Sequence, residues 1–150
     1  MRANKRLQRI AQECALAAVQ YSTTRRASYD DEDGSWAIIH DFPLPKGYNY
    51  DSTDVLILLP EDYPLTPPDW FYVDNNLRLA DGTEPEHLFY EDAIIIDPNE
   101  PREGQQHPQL LGWTACCLHI LEWKPTSDPL RGHSLLTVCE LVKRAFERWR

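Results

Sequence analysis

Apolar residues recur at three- and four-residue intervals from Leu7 through Ile10, Cys14 and Ala17 to Tyr21. That spacing lines them up on one side of a helix, so a helix facing a core is expected over residues 4–20. Asn4 is placed to cap its start, and Arg2, Lys5, Arg6 and Arg9 fall largely off the apolar stripe. The polar run 22–35, punctuated by Gly34, reads as a loop. From Trp36 to Phe42 the pattern changes to strict alternation, with Trp36, Ile38, His40 and Phe42 sharing a face, which predicts a strand. Asp54 to Leu59 is apolar on both faces, as a central strand covered on both sides would be. Four prolines between Pro60 and Pro68 fix φ and withhold amide donors, so this stretch is expected to be a rigid, extended connector. Trp70 to Val73 supplies a third strand and completes an antiparallel meander of three or four.

Residues 74–106 carry weaker signals. Asn75-Asn76 and Asp81-Gly82 mark turns, 93–96 reads as a short buried strand, and 98–106 is polar and proline-bearing. A long loop in a small domain is usually functional, and here it is expected to be a lid or docking surface beside the site. Asp128 followed by Pro129 has the chemistry of a helix start. Leu135, Val138, Cys139, Val142, Ala145, Phe146 and Trp149 then form a helical stripe, with Lys143, Arg144 and Arg148 suited to the negative end of the helix dipole.

Length and cysteine usage narrow the class. One domain spanning 1–150 is expected, since 150 residues bury an ordinary core without a metal or disulfide staple. No apolar run approaches a membrane span and the basic start lacks a signal-peptide pattern, so no membrane association and a cytoplasmic location are expected. The four cysteines have no paired spacing and are expected to be free thiols. Cys14 and Cys139 fall within apolar stripes, where a thiol behaves as a small core residue.

The net charge of −9 is unevenly spread. Residues 1–29 hold six Lys/Arg against one acid, 30–105 hold three against nineteen, and 106–150 hold six against four. An acidic middle of this kind argues against nonspecific nucleic-acid binding, which needs a continuous basic surface.

The segment with most chemistry is His107 to Pro125, HPQLLGWTACCLHILEWKP. A thiol is a strong nucleophile even with only a few per cent ionised, so Cys116 and Cys117 are candidates for covalent catalysis. A zinc site built from His107, Cys116, Cys117 and His119 is disfavoured, because vicinal cysteines do not easily reach one tetrahedral ion. A Cys-His hydrolase lacks an independent histidine and acid to support it.

In order along the chain come a helix, strands, Tyr63-Pro64-Leu65-Thr66-Pro67-Pro68, His107-Pro108, Cys117-Leu118-His119-Ile120-Leu121, Trp123-Lys124-Pro125 and a final helix. This series resembles the ubiquitin-conjugating enzymes. The stretches Pro68 to Asp74 and Leu77 to Gly82, with Cys117-Leu118-His119, resemble bacterial relatives encoded in phage-defence operons. Gln109 stands where the family has an asparagine, and about thirty residues separate the third strand from His107.

The resemblance implies an α+β, UBC-like fold that lacks the last helices of eukaryotic members. It places the catalytic cysteine at Cys117, ten residues after His107. It also implies a supporting role for His107, an amide role for Gln109 in the intermediate, and an orienting or proton-moving role for His119. Lys5, Arg6 and Arg9 become candidates for the activating-enzyme contact, although a solvated face accounts for the same pattern. Pro64 and Pro67 become candidates for partner binding. The implied partners are a ubiquitin-like modifier and an ATP-dependent activating enzyme, with no metal and no cofactor on the protein itself. Two further readings belong to the same resemblance: a noncatalytic module that holds a ubiquitin-like partner, and a CBASS-type enzyme acting on the C-terminus of a nucleotide cyclase.

Overall fold

A computed structural model of the chain describes residues 2–86, 88 and 113–149. Helix α1 (Arg2–Tyr21) is followed by strands β1 (Ala27–Tyr29), β2 (Trp36–Pro43), β3 (Ser52–Leu58), β4 (Trp70–Asp74) and β5 (Trp113–Cys117), then by helix α2 (Leu135–Arg148). The strands form one antiparallel sheet in chain order. This is the α+β, UBC-like architecture. Two edge strands extend the expected meander to five.

The two-residue period of β3 sorts its side chains between two cores. Val55 and Ile57 face the helices and join Ile10, Ala17, Val138 and Phe146 in the main core. Leu56 faces the other way and is fully buried with Tyr72, Trp113 and Ala115 in a second cluster. The apolar positions of α1 and α2 point into the main core, where Phe146 meets Phe42, Tyr48 and Phe71 edge-on. Edge-to-face packing suits the ring quadrupoles and adds about 0.5–1.5 kcal/mol per pair beyond area burial.

Glu13 holds the layers in register. It is fully buried on α1 and accepts from the Tyr63 hydroxyl at 2.5 Å, the Leu135 amide at 2.7 Å and Arg9 Nε at 2.9 Å. One carboxylate thereby ties the first helix to the proline-rich connector and to the start of the last helix. Arg6 donates to the carbonyls of Asp33, Pro60, Tyr63 and Gly34 at 2.7–3.0 Å, fastening the same connector and the β1–β2 turn to α1. Gly34 has φ +65°, and a Cβ there would sit 2.5 Å from Arg6 Nη1, so both its backbone and the close approach of α1 require glycine.

Three expectations are corrected. α1 begins at Arg2, so Asn4 lies inside its first turn and not before it. The run 22–35 contains β1, whose three residues are too few to show a period. α2 does not begin at Asp128-Pro129: the Asp128 carboxylate accepts from the Leu130 amide at 2.9 Å, and its carbonyl accepts from the Arg131 amide at 3.0 Å, which closes a local turn. The helix starts six residues later. Ser134 caps it by accepting from the Leu136 amide, and Thr137 Oγ1 accepts from the Ser134 amide in return.

Across β1, β2 and β3, Ser28 Oγ lies 2.7 Å from His40 Nε2, and His40 Nδ1 lies 3.4 Å from Asp54 Oδ2. The row links the short edge strand to the sheet. It sits at the opposite edge from β5.

Candidate active site

β5 delivers the two adjacent cysteines to different surroundings because side chains alternate along a strand. Cys116 pairs with Phe71 in register and is 3% exposed, packed in the main core. Burial and the neighbouring Cys117 push its thiol up to about 12, with Arg148 pulling weakly the other way. Cys117 pairs with Trp70 at the last rung of the ladder and is half-buried. Burial raises its thiol as well, with no opposing charge to lower it. Cys14 and Cys139 are buried under the helices, and burial raises both. Of four free cysteines, Cys117 alone is open to solvent.

The chain on the far side of Cys117 is pinned at two points. The Leu118 amide donates to the Asp69 carbonyl at 2.7 Å, prolonging the β4 contact by one residue. Trp123 Nε1 donates to the Pro64 carbonyl at 2.7 Å, and its ring lies 6.2 Å from that of Tyr63. His133 adds a second brace, exchanging backbone and ring bonds with Lys124 at 3.0 and 2.8 Å. Between the pins His119 is exposed, and Leu121 is 99% exposed. The proline-rich connector and the Trp-x-Pro stretch thus form one frame around the cysteine.

Beside Cys117 opens a cleft of about 550 Å³. Cys116, Cys117, Leu118 and His119 form one wall, and the last two turns of α2, with Arg144, Ala145 and Arg148, form the other. Phe71 and Trp149 stack at its floor with ring centroids 6.0 Å apart. Cys117 and His119 both border this space, as do Cys116 and Leu118. A nucleophile on the rim of a half-apolar cleft can take an acyl group from outside and hold it there.

The remaining expected site residues divide. His107 and Gln109 lie outside the described residues, as do the expected strand at 93–96 and most of the expected lid. Lys5 is exposed on α1, whereas Arg6 is engaged by four carbonyls and Arg9 by Glu13 and the Thr126 carbonyl. Pro64 and Pro67 are half-buried and flank Leu65, which is 74% exposed.

Two contributions were not legible from pattern. Glu13 is the sole acid among the first 29 residues, and that isolation is the signal it leaves. Arg144 and Arg148 read as helix-dipole partners, yet their four-residue spacing also puts both on the cleft side of α2.

No helix among the described residues is long and apolar enough to cross a membrane. Comparisons with curated proteins and with solved structures find no match. The model of the family described as Prokaryotic E2 family E matches residues 18–148, a span that runs from the end of α1 through both cysteines to the end of α2. The chain belongs to Prokaryotic E2 family E and is a bacterial E2-like protein.

Proposed function

We propose that the protein acts as a single-domain thioester carrier: Cys117 accepts the C-terminal carboxyl of a ubiquitin-like modifier from an ATP-dependent activating enzyme and passes it to a target amine. The observation that carries this reading is the placement of Cys117, the one solvent-open thiol, at the end of a strand and on the rim of a cleft shared with His119. Its chemistry is two acyl transfers. In the first, the Cys117 thiolate attacks the activating enzyme's thioester, the new carbon–sulfur bond forms and the enzyme's thiolate leaves. In the second, an amine attacks the Cys117 thioester, loses a proton, and Cys117 leaves as thiolate.

His119 is assigned the proton or orienting role in the second step, and Gln109 the amide that stabilises the tetrahedral oxyanion, with His107 supporting its loop. Lys5 and the exposed Leu65 between Pro64 and Pro67 are assigned to docking of the activating enzyme or another partner. The reaction is proposed to serve bacterial antiviral defence in the cytoplasm, and the resemblance of Pro68 to Gly82 to phage-defence relatives supports the defence setting.

Single-turnover discharge of preloaded protein to a small amine tests the reading. Wild type should load and discharge, and His119→Ala should load normally but discharge about a hundredfold more slowly. Failure of wild type to load, with cognate enzyme and modifier supplied, would leave a noncatalytic binding module as the better account.

A further inference from the structure

β1 is an edge strand: among the described residues it pairs with β2 and with no other strand. The His40 amide donates to the Arg26 carbonyl at 3.1 Å and the Asp30 amide to the Trp36 carbonyl at 3.0 Å. Hydrogen-bonded pairs alternate along an antiparallel ladder, so Arg26, Ser28 and Asp30 turn their backbone groups toward β2, and Ala27 and Tyr29 turn theirs outward. The outward groups have no hydrogen-bond partner among the described residues. An edge of this kind is a template for pairing with another chain.

The charges around the edge are arranged for a second copy of the same chain. Arg25-Arg26-Ala27-Ser28-Tyr29-Asp30-Asp31 places two bases before Ser28 and two acids after it, at matching distances. The fold uses one of each itself. Arg26 pairs with Asp41 at 3.0 Å, and Asp30 accepts from the amides of Glu32, Asp33 and Ser35 at 3.1–3.2 Å. Arg25 and Asp31 are left exposed, and neither side chain has an ion pair among the described residues. We propose that two copies join edge to edge through β1, antiparallel about Ser28, so that their two five-stranded sheets become one. Ala27 of each copy then exchanges two backbone hydrogen bonds with Tyr29 of the other, and Arg25 of each lies across from Asp31 of the other. The charges that each copy leaves over are the ones that the two-fold brings together. A three-residue strand makes a small patch, so the dimer is weak, with a Kd on the order of 0.1 mM. β5 lies at the opposite edge from β1, which leaves Cys117 of both copies away from the join.

Sedimentation velocity of the full chain, with thiol reductant present and at concentrations from about 0.01 mM to about 1 mM, tests this. Wild type should pass from monomer to dimer across that range, and the dimer should weaken at high salt. Arg25→Asp and Asp31→Arg each set like charges across the join, and each variant alone should associate at least about tenfold more weakly. Aspartate is among the residues that tolerate the left-handed backbone of Arg25, whose φ is +56°. Mixing the two variants, or combining both substitutions in one chain, restores opposite charges across the join, so the dimer should return, a gain that misfolding does not produce. Ala27→Pro removes an outward amide that β2 does not use and should abolish the dimer. A wild type that stays monomeric throughout would overturn the proposal and leave the edge to a different partner. A dimer that persists unchanged in both single variants and in Ala27→Pro would place the contact on another surface and overturn it as well.

Discussion

The amide of Leu118 donates to the carbonyl of Asp69 at 2.7 Å, one residue past the last paired rung of the sheet. This bond fixes where Cys117 leaves β5. Asp69 follows the proline-rich connector directly, and Pro64 of the same connector accepts from Trp123. The chain that leaves the cysteine is therefore held by two contacts to one stiff segment.

Trp123→Phe keeps an aromatic ring against Tyr63 and removes the donor to Pro64. Stability should fall by about 1 kcal/mol, the usual net worth of one hydrogen bond, with a larger proportional loss in acyl transfer as the segment after Cys117 loses its second pin. Urea unfolding and a loading assay on the same variant measure the two effects. An unchanged loading rate with reduced stability would separate the frame from the chemistry.

Glu13→Gln leaves Arg9 without its buried counter-charge and should destabilise the fold by about 3 kcal/mol. Tyr63→Phe removes one donor from the carboxylate and should cost about 1–3 kcal/mol. The two losses should not add, because both residues share one network. Denaturant unfolding of the single variants and the double variant decides this, and additive losses would contradict a shared network.

The cysteines should separate by reactivity and by pH. Cys117 should be alkylated first, with Cys14, Cys116 and Cys139 protected in the native protein. Burial raises the Cys117 thiol, so its thiolate fraction at neutral pH is below that of a free cysteine and alkylation should still be climbing at pH 9. A plateau near pH 7 would contradict this. The buried thiols bear on stability with a definite sign: the folded values for Cys14 and Cys116 are pushed up from 9.0 to about 12. Above pH 9 the unfolded chain ionises first and binds fewer protons than the native one. Stability should be full below that pH and then fall by up to about 1.4 kcal/mol per pH unit for each thiol.

Lys5 and Arg6 are neighbours with different expected roles. Lys5→Glu should slow charging by the activating enzyme in a salt-dependent way and leave the melting temperature unchanged, since exposed charges act mainly on association. Arg6→Glu should instead lower the melting temperature, because four carbonyls lose their donor. Thermal unfolding together with charging at two salt concentrations tells them apart.

A bulge between Ile39 and Phe42 turns Phe42 into the main core with Ala37 and Ile39, away from Trp36 and Ile38, so the single face expected for β2 was wrong, but the places of β2 and β3 and the α1 stripe were readable. β5 was not. Its five residues, Trp-Thr-Ala-Cys-Cys, have four buried, so alternation is hidden and the segment stood out only by its thiols. The start of α2 was misplaced because Asp128-Pro129 carries genuine helix-start chemistry that a local turn uses instead, and Ser134 with Thr137 then caps the real helix. The choice of Cys117 over Cys116 came from spacing to His107, and the difference in their burial, Cys116 buried and Cys117 half-buried, was not legible in the sequence. That Arg144 and Arg148 line one cleft with the end of β5 was invisible in sequence, since the cleft forms only when α2 packs beside that strand.

The most direct measurement is the intact mass of the protein after incubation with its activating enzyme, ATP and the cognate modifier, with and without thiol reductant. Wild type and Cys116→Ala should both carry one modifier that reductant removes. Cys117→Ala should carry none, and Cys117→Ser should carry a modifier that resists reductant, because an oxygen ester replaces the thioester. A normal reductant-sensitive adduct on Cys117→Ala, lost instead on Cys116→Ala, would contradict the account.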